Sequence, residues 1–222
     1  MAAKEYRSEG ITVTFDAGRC IHSEECVHGL PEVFDVGRRP WIQPKNAAPD
    51  TVSNVVMRCP TGALQFIRPD HSEEPTPEEN KIILAEDGPL FIRGDVEIRE
   101  FRGAENIDDW RALLTHGTRV ALCRCGESKN KPFCDNSHVE ANFRHDGSLG
   151  EDGMKEDEDA NKLLTISPSE NGPLLLHGEV EVLDSKGETS YKGSKAALCR
   201  CGRSENKPFC DGTHARSGWR ED

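Results

Sequence analysis

Nine cysteines carry the legible chemistry of this 222-residue chain, and each stands at a spacing suited to a metal. The strongest pattern is Cys123-x-Cys125-x8-Cys134-x3-His138, which recurs as Cys199-x-Cys201-x8-Cys210-x3-His214. Each copy offers three thiolates and one imidazole, a donor set for a soft transition metal or an iron-sulfur cluster. Disulfides pair cysteines evenly, yet each motif holds three and the chain nine, and MAAKEYRSEG does not read as a secretory leader. Structural disulfides are therefore not expected. Zinc is the competing reading, because Cys3His is an ordinary structural zinc shell. Cys-x-Cys is tighter than the usual zinc knuckle, whereas two such thiolates can share one iron of a [2Fe-2S] pair while the later Cys and His hold the other. Spacing alone leaves both open and leans towards the cluster.

The remaining thiols, Cys20, Cys26 and Cys59, form C-x5-C followed distantly by Cys-Pro. Three thiolates suit a [3Fe-4S] site, or a [4Fe-4S] site whose fourth iron takes another ligand. The middle ligand of a bacterial C-x2-C-x2-C run would fall at Ser23 and is missing. His22, Ser23, Glu24, His28 or water stand near enough for the fourth position, although for each a polar surface or capping role is the default. The expectation is [3Fe-4S], with [4Fe-4S] and a non-cysteine ligand as the alternative. His71, His116, His145 and His177 have no cysteine partner nearby and read as solvated. Trp41, Trp110 and Trp219 read as packing residues, and Arg38-Arg39 as an exposed turn. No phosphate-binding glycine loop, nucleophile elbow or carboxylate pair is present in sequence, so no enzymatic turnover is expected.

Charge and repetition divide the chain that must position these ligands. Its formal charge is -12, with 35% hydrophobic residues, too thin an apolar content for one large core. Residues 70–79 hold five acids and no Lys or Arg, and 151–160 hold six acids and one Lys, so these two stretches account for nearly all of the excess. Both read as solvated linkers, the second alternatively as a mobile loop inside a larger unit. The acidic balance and the lack of a basic stripe argue against nucleic acid or anionic membrane as partner, and no stretch is long and apolar enough to span a bilayer. A soluble cytoplasmic chain is the expectation.

Beyond residue 79 the sequence repeats: GPLFIRGDVEI (88–98) matches GPLLLHGEVEV (172–182), each preceded by an NK-apolar run and followed by a cysteine motif. The first copy carries an insertion, placed within EFRGAENIDDW. Alternating residues in both copies predict half-buried strands, with short strands over 120–122 and 196–198. The expected organisation is 1–69, an α+β domain; 70–79, a linker; 80–147, a first β-rich module; 148–160, a second acidic linker; and 161–222, a second module, the two copies packing as an internal pseudo-dimer. Such self-pairing allows a monomer. In the first domain, ITVTF (11–15) and ALQFI (63–67) predict strands, PEVFDVGRRPWIQP (31–44) a hairpin, and Asp50 or Thr51 caps a helix bearing Val52, Val55 and Val56.

CRCGESKNKPFCDNSH (123–138) and CRCGRSENKPFCDGTH (199–214) resemble the CDGSH iron-sulfur motif of the mitoNEET-like family. That resemblance implies a [2Fe-2S] cluster in each copy, one iron on Cys123 and Cys125 and the other on Cys134 and His138, and likewise Cys199 and Cys201, then Cys210 and His214. Asn136 stands where the family has Gly; Asn tolerates a left-handed backbone, so a cluster is expected in both copies. Ser128, Ser204, Asp135 and Asp211 are expected to brace the loops. CIHSEECVHGLPEVFDVGRRPWIQP with CPTGAL, over about residues 11–68, resembles the divergent single-cluster ferredoxin domain found beside CDGSH modules. The implied function is electron transfer with a redox protein or reductase, the three clusters exchanging electrons. The alternative is cluster storage, delivery to an apo iron-sulfur acceptor, or redox sensing. A histidine ligand would also couple redox state and cluster retention to pH.

Overall fold

The computed structural model describes residues 3–99 and 113–221. The expected insertion EFRGAENIDDW and its Trp110 lie outside the described residues. The chain divides into two units, Met1–Pro75 and Thr76–Asp222.

In the first unit, β1 (Lys4–Ser8), β2 (Ile11–Phe15) and β3 (Leu64–Ile67) form an antiparallel sheet in the order β1-β2-β3. Register pairs Tyr6 with Val13 and Val13 with Phe66, placing these buried side chains on one face. Strand β1 has a single core side chain, Tyr6, so its sequence carries almost no period-2 signal; pairing with β2 creates it. Following a five-residue helix, α1 (Glu25–Gly29), the helix α2 (Pro49–Val56) covers the sheet with Val52, Val55 and Val56. The expected cap at Asp50 or Thr51 is corrected: the N-cap is Ala48 and the helix begins at Pro49. Proline's fixed φ suits the first helical position, where its missing N–H costs nothing. Asp50 instead pairs with Arg68 at 2.7 Å. The segment 31–44 closes as an irregular hairpin through the bridge between Phe34 and Ile42. Arg38 and Arg39 donate to carbonyls of this hairpin, which ties them to their own loop.

The second unit is one six-stranded sheet built twice over. Strands β4 (Lys81–Leu84), β5 (Leu90–Arg99) and β6 (Leu113–Leu122) come from the first copy; β7 (Leu164–Pro168), β8 (Leu174–Leu183) and β9 (Ser190–Leu198) from the second. Within each copy the strands pair antiparallel. Between copies β4 also pairs parallel with β8, and β7 parallel with β5. Each short strand thus lies between both long strands, so neither copy completes its sheet alone. The interior is shared: Ile82, Leu90, Ile92 and Ile98 pack in one cluster with Leu164, Ile166, Leu174 and Val182. This is the internal pseudo-dimer, and its reason is that each copy has too few apolar residues for a core of its own. Strands β6 and β9 run well beyond the three residues expected before each cysteine motif, because long partners β5 and β8 carry them.

Asn80 locks the exchange. Its side-chain amide donates to the Lys162 carbonyl at 2.5 Å and the Glu179 carbonyl at 2.7 Å, and its Oδ1 accepts from the Asp95 N–H at 2.8 Å. The acidic stretch 151–160, expected as a solvated linker, is tied to the second copy. Lys155 bridges Lys195, the Asp157 N–H donates to Ser194 Oγ at 2.7 Å, and Met154 packs against the core. Its acids other than Asp157 stay exposed while its backbone supplies hydrogen bonds, which composition does not record.

Candidate metal centres

Strand β6 delivers Cys123 at its end, and the returning loop pins the motif onto that strand. The Cys123 N–H donates to the Pro132 carbonyl at 2.8 Å and the Cys134 N–H to the Ala121 carbonyl at 3.0 Å. Asn136, in a left-handed conformation at φ 72°, then turns the chain into the single helical turn α3 (Ser137–Glu140), which brings His138 back to Cys134. The second copy repeats this through Pro208, Ala197, left-handed Gly212 at φ 81° and α4 (Thr213–Arg216). Asn adopts here the backbone that Gly adopts there, as its tolerance of positive φ allows.

The donor atoms meet in pairs. Sulfurs of Cys123 and Cys125 are 3.6 Å apart and those of Cys199 and Cys201 3.8 Å. Cys134 Sγ lies 3.5 Å from His138 Nδ1, and Cys210 Sγ 3.4 Å from His214 Nδ1. Two ligands at ~2.3 Å from one tetrahedral metal are separated by about 3.8 Å, so each pair spans one edge of such a site. Among the described residues, no group of three His, Cys, Asp or Glu side chains converges to hold a single metal ion. By these distances each motif presents its donors as two pairs.

Bracing follows the sequence expectation. Ser128 Oγ donates to the Phe133 carbonyl at 2.7 Å and Ser204 Oγ to the Phe209 carbonyl at 2.6 Å. Asp135 accepts from the N–H groups of Lys129 and Ser137, and Asp211 from those of Glu205 and Thr213. Backbone N–H groups of Glu127, Asn136 and Gly212 point at the sulfurs of Cys125, Cys134 and Cys210, each at 3.5 Å. Such donors stabilise thiolate charge. Within each Cys-x-Cys pair the sulfur-sulfur hydrogen bond holds one thiol near 6, Cys123 in the first copy and Cys201 in the second, and pushes its partner up. One proton leaves such a pair readily; the second leaves when a cation compensates the charge. Burial pushes Cys134 up to about 11 and raises Cys210.

Two residues inside the motifs escaped the sequence reading. Arg124 and Arg200, between the paired cysteines, are each 1% exposed. Arg124 donates to the Gly88 and Ala85 carbonyls and shares a hydrogen bond of 2.9 Å with His145 Nδ1. Arg200 donates to the Gly172 and Ser169 carbonyls and pairs with Glu221 at 2.6 Å. Each guanidinium stacks on an aromatic ring, Phe143 or Trp219. Burial pushes Arg124 down to about 10. His145, expected as solvated, is thus a partner of a buried cation; His116 and His177 meet Asp95 and Asp157 on the surface. The available signal was the identical Cys-Arg-Cys in both copies.

In the first unit Cys20, Cys26 and Cys59 line one cavity of about 130 Å³, together with His22, Ser23, Glu24 and Trp41. Cys20 leaves a short loop, Cys26 sits on α1, and Cys59 follows α2. The loop between Cys20 and Cys26 is sharply turned, with His22 and Glu24 at positive φ. Burial, with the Cys59 charge adding to it, raises Cys20 and pushes Cys26 up to about 11. Three thiols facing one void, two of them raised by burial, form a site that a cationic group stabilises. His28 points away, 77% exposed and 3.6 Å from Glu24.

The family model described as "Iron-binding zinc finger CDGSH type" matches residues 87–139 and 171–215, and "Divergent 4Fe-4S mono-cluster" matches residues 6–69. The chain carries two tandem CDGSH modules behind a divergent mono-cluster domain. It is an iron-sulfur-binding protein whose CDGSH and ferredoxin-like domains are binding modules, not catalytic ones. "Uncharacterized protein YjdI" from Escherichia coli K12 and its counterpart from O157:H7 are each 41% identical over 61 residues, covering 28% of this chain and 80% of the relative. No solved structure matches. No helix among the described residues is long and apolar enough to cross a membrane.

Proposed function

We propose that this CDGSH protein transfers electrons through two [2Fe-2S] clusters and one three- or four-iron cluster. The observation that carries the reading is the paired arrangement of donors in each CDGSH motif, four pairs at 3.4–3.8 Å. A single zinc needs four donors around one centre, whereas two irons need two pairs. Cys123 and Cys125 would hold one iron and Cys134 and His138 the other, with Cys199, Cys201, Cys210 and His214 in the same roles. Cys20, Cys26 and Cys59 would hold the third cluster. The matched family's description favours [4Fe-4S] over [3Fe-4S], and with three cysteines here the fourth iron would take a non-cysteine ligand.

Iron-sulfur clusters supply one-electron chemistry with little change in ligation. The chain's part is to keep thiolates buried, aim N–H groups at them, and leave the histidine edge as the accessible side. Cys123, Cys125, Cys199 and Cys201 are 1–8% exposed, while His138 and His214 are half-buried.

Anaerobic purification with iron, sulfide and zinc counts and electron paramagnetic resonance tests the reading. About seven irons per chain are expected with [3Fe-4S] and about eight with [4Fe-4S]. Colourless protein with stoichiometric zinc overturns it. Fast reversible reduction with clusters retained separates electron transfer from delivery, in which an apo-ferredoxin acquires the cluster directly.

A further inference from the structure

The two CDGSH motifs differ where they face solvent. Glu127 and Glu140, each two residues past a ligand in the first copy, are exposed; the same positions in the second copy are Arg203 and Arg216, also exposed. Both arginines are held at the histidine edge. Arg216 donates to the Asp211 carbonyl at 3.1 Å and Thr213 Oγ1 at 2.7 Å, while Arg203 reaches the Ser217 carbonyl at 3.4 Å. Arg216 lies 3.8 Å from the Asp211 carboxylate, which offsets part of its charge and fixes its position, while 67% of its side chain stays exposed. Lys129 and Glu205 exchange in the opposite sense, which offsets part of the contrast; the three exchanged positions together still change from -1 to +1. Lys131 and Lys207, Asp135 and Asp211, and Arg144 and Arg220 are alike in both copies and discriminate nothing. Glu221 spends its charge on buried Arg200.

From this reversal we infer that an acidic redox protein docks over the second CDGSH site, against Arg203 and Arg216, and that the first site repels it. The inference rests on the electron-transfer reading and adds the place of entry and the chemistry of the partner. Opposite charge at a contact rim accelerates encounter and fixes orientation, and like charge at the equivalent rim suppresses the wrong site. The half-buried histidine edge is where a partner's cofactor approaches most closely, and these arginines flank it.

The test is stopped-flow reduction of the full-length holo-protein by two probes: a reduced acidic [2Fe-2S] ferredoxin and the methyl viologen radical cation. Cluster content and midpoint potentials are measured alongside. At low salt, R203E/R216E should slow the ferredoxin reaction about tenfold and flatten its salt dependence, with no slowing of the viologen reaction. E127R/E140R should speed the ferredoxin reaction. Equal slowing with both probes, or no slowing, overturns the docking site. Wild-type protein that retains its clusters yet accepts electrons from neither probe overturns the electron-transfer reading and the docking with it; acceptance from viologen alone overturns only the docking.

Discussion

Gly126 of the first CDGSH motif lies against the backbone of Cys201 in the second, so close that a Cβ there would come within 2.7 Å of the Cys201 carbonyl oxygen. Gly202 meets Cys125 in the same way, at 2.3 Å. The ligand loops of the two sites are therefore in direct reciprocal contact.

Alanine at either glycine should disturb both sites. Each has a positive φ that alanine strains, and each abuts backbone that cannot swing aside. G126A and G202A are expected to cost about 2 kcal/mol or more. Chemical denaturation should show that loss, and visible absorbance should show faster cluster loss from both CDGSH sites. Retention unchanged at the unmutated site would contradict this coupling.

Asn80 should matter far more than its repeat counterpart. N80A removes two hydrogen bonds between the copies and one within the first, leaving the part-buried Asp95 N–H and two carbonyls short of partners, a loss of about 3 kcal/mol. Asn161, exposed and bonded locally to the Leu163 N–H, should cost under about 1 kcal/mol as alanine. Urea midpoints at constant slope compare the two.

The two buried arginines predict an asymmetric response. E221A leaves the Arg200 guanidinium, fully buried, without its carboxylate and should cost about 3 kcal/mol. H145A removes a single hydrogen-bond partner from Arg124 and should cost about 1 kcal/mol. Differential scanning calorimetry of holo-protein orders the variants; H145A as the worse of the two would refute the assignment.

Removing one thiolate from the first unit should empty one site alone. C59A takes a ligand from the cavity shared with Cys20 and Cys26. Iron content should fall to about four per chain, the amount held by two [2Fe-2S] clusters, with the CDGSH spectrum intact. A proportional loss from all three sites would show that the cavity does not hold a separate cluster.

Strand order and ligand pairing were legible to different degrees. Alternation in GPLFIRGDVEI and GPLLLHGEVEV announced β5 and β8, and Asn136 was readable as a left-handed residue from its chemistry. Strand β1 was not, since one tyrosine makes no pattern. Nor was the docking of 151–160, where the decisive groups are backbone N–H and C=O, which every residue has.

The order of residues alone determined which side chains are available to iron and how closely they can approach, because a Cys-x-Cys or Cys-x3-His spacing is a local property of the chain. Folding decided which sites touch. Only the exchange of β4 and β7 between the long strands brings the Gly126 loop onto Cys201 and the Gly202 loop onto Cys125. Those contacts join residues some seventy-five positions apart, and no local pattern records a contact made when two half-cores close on one another.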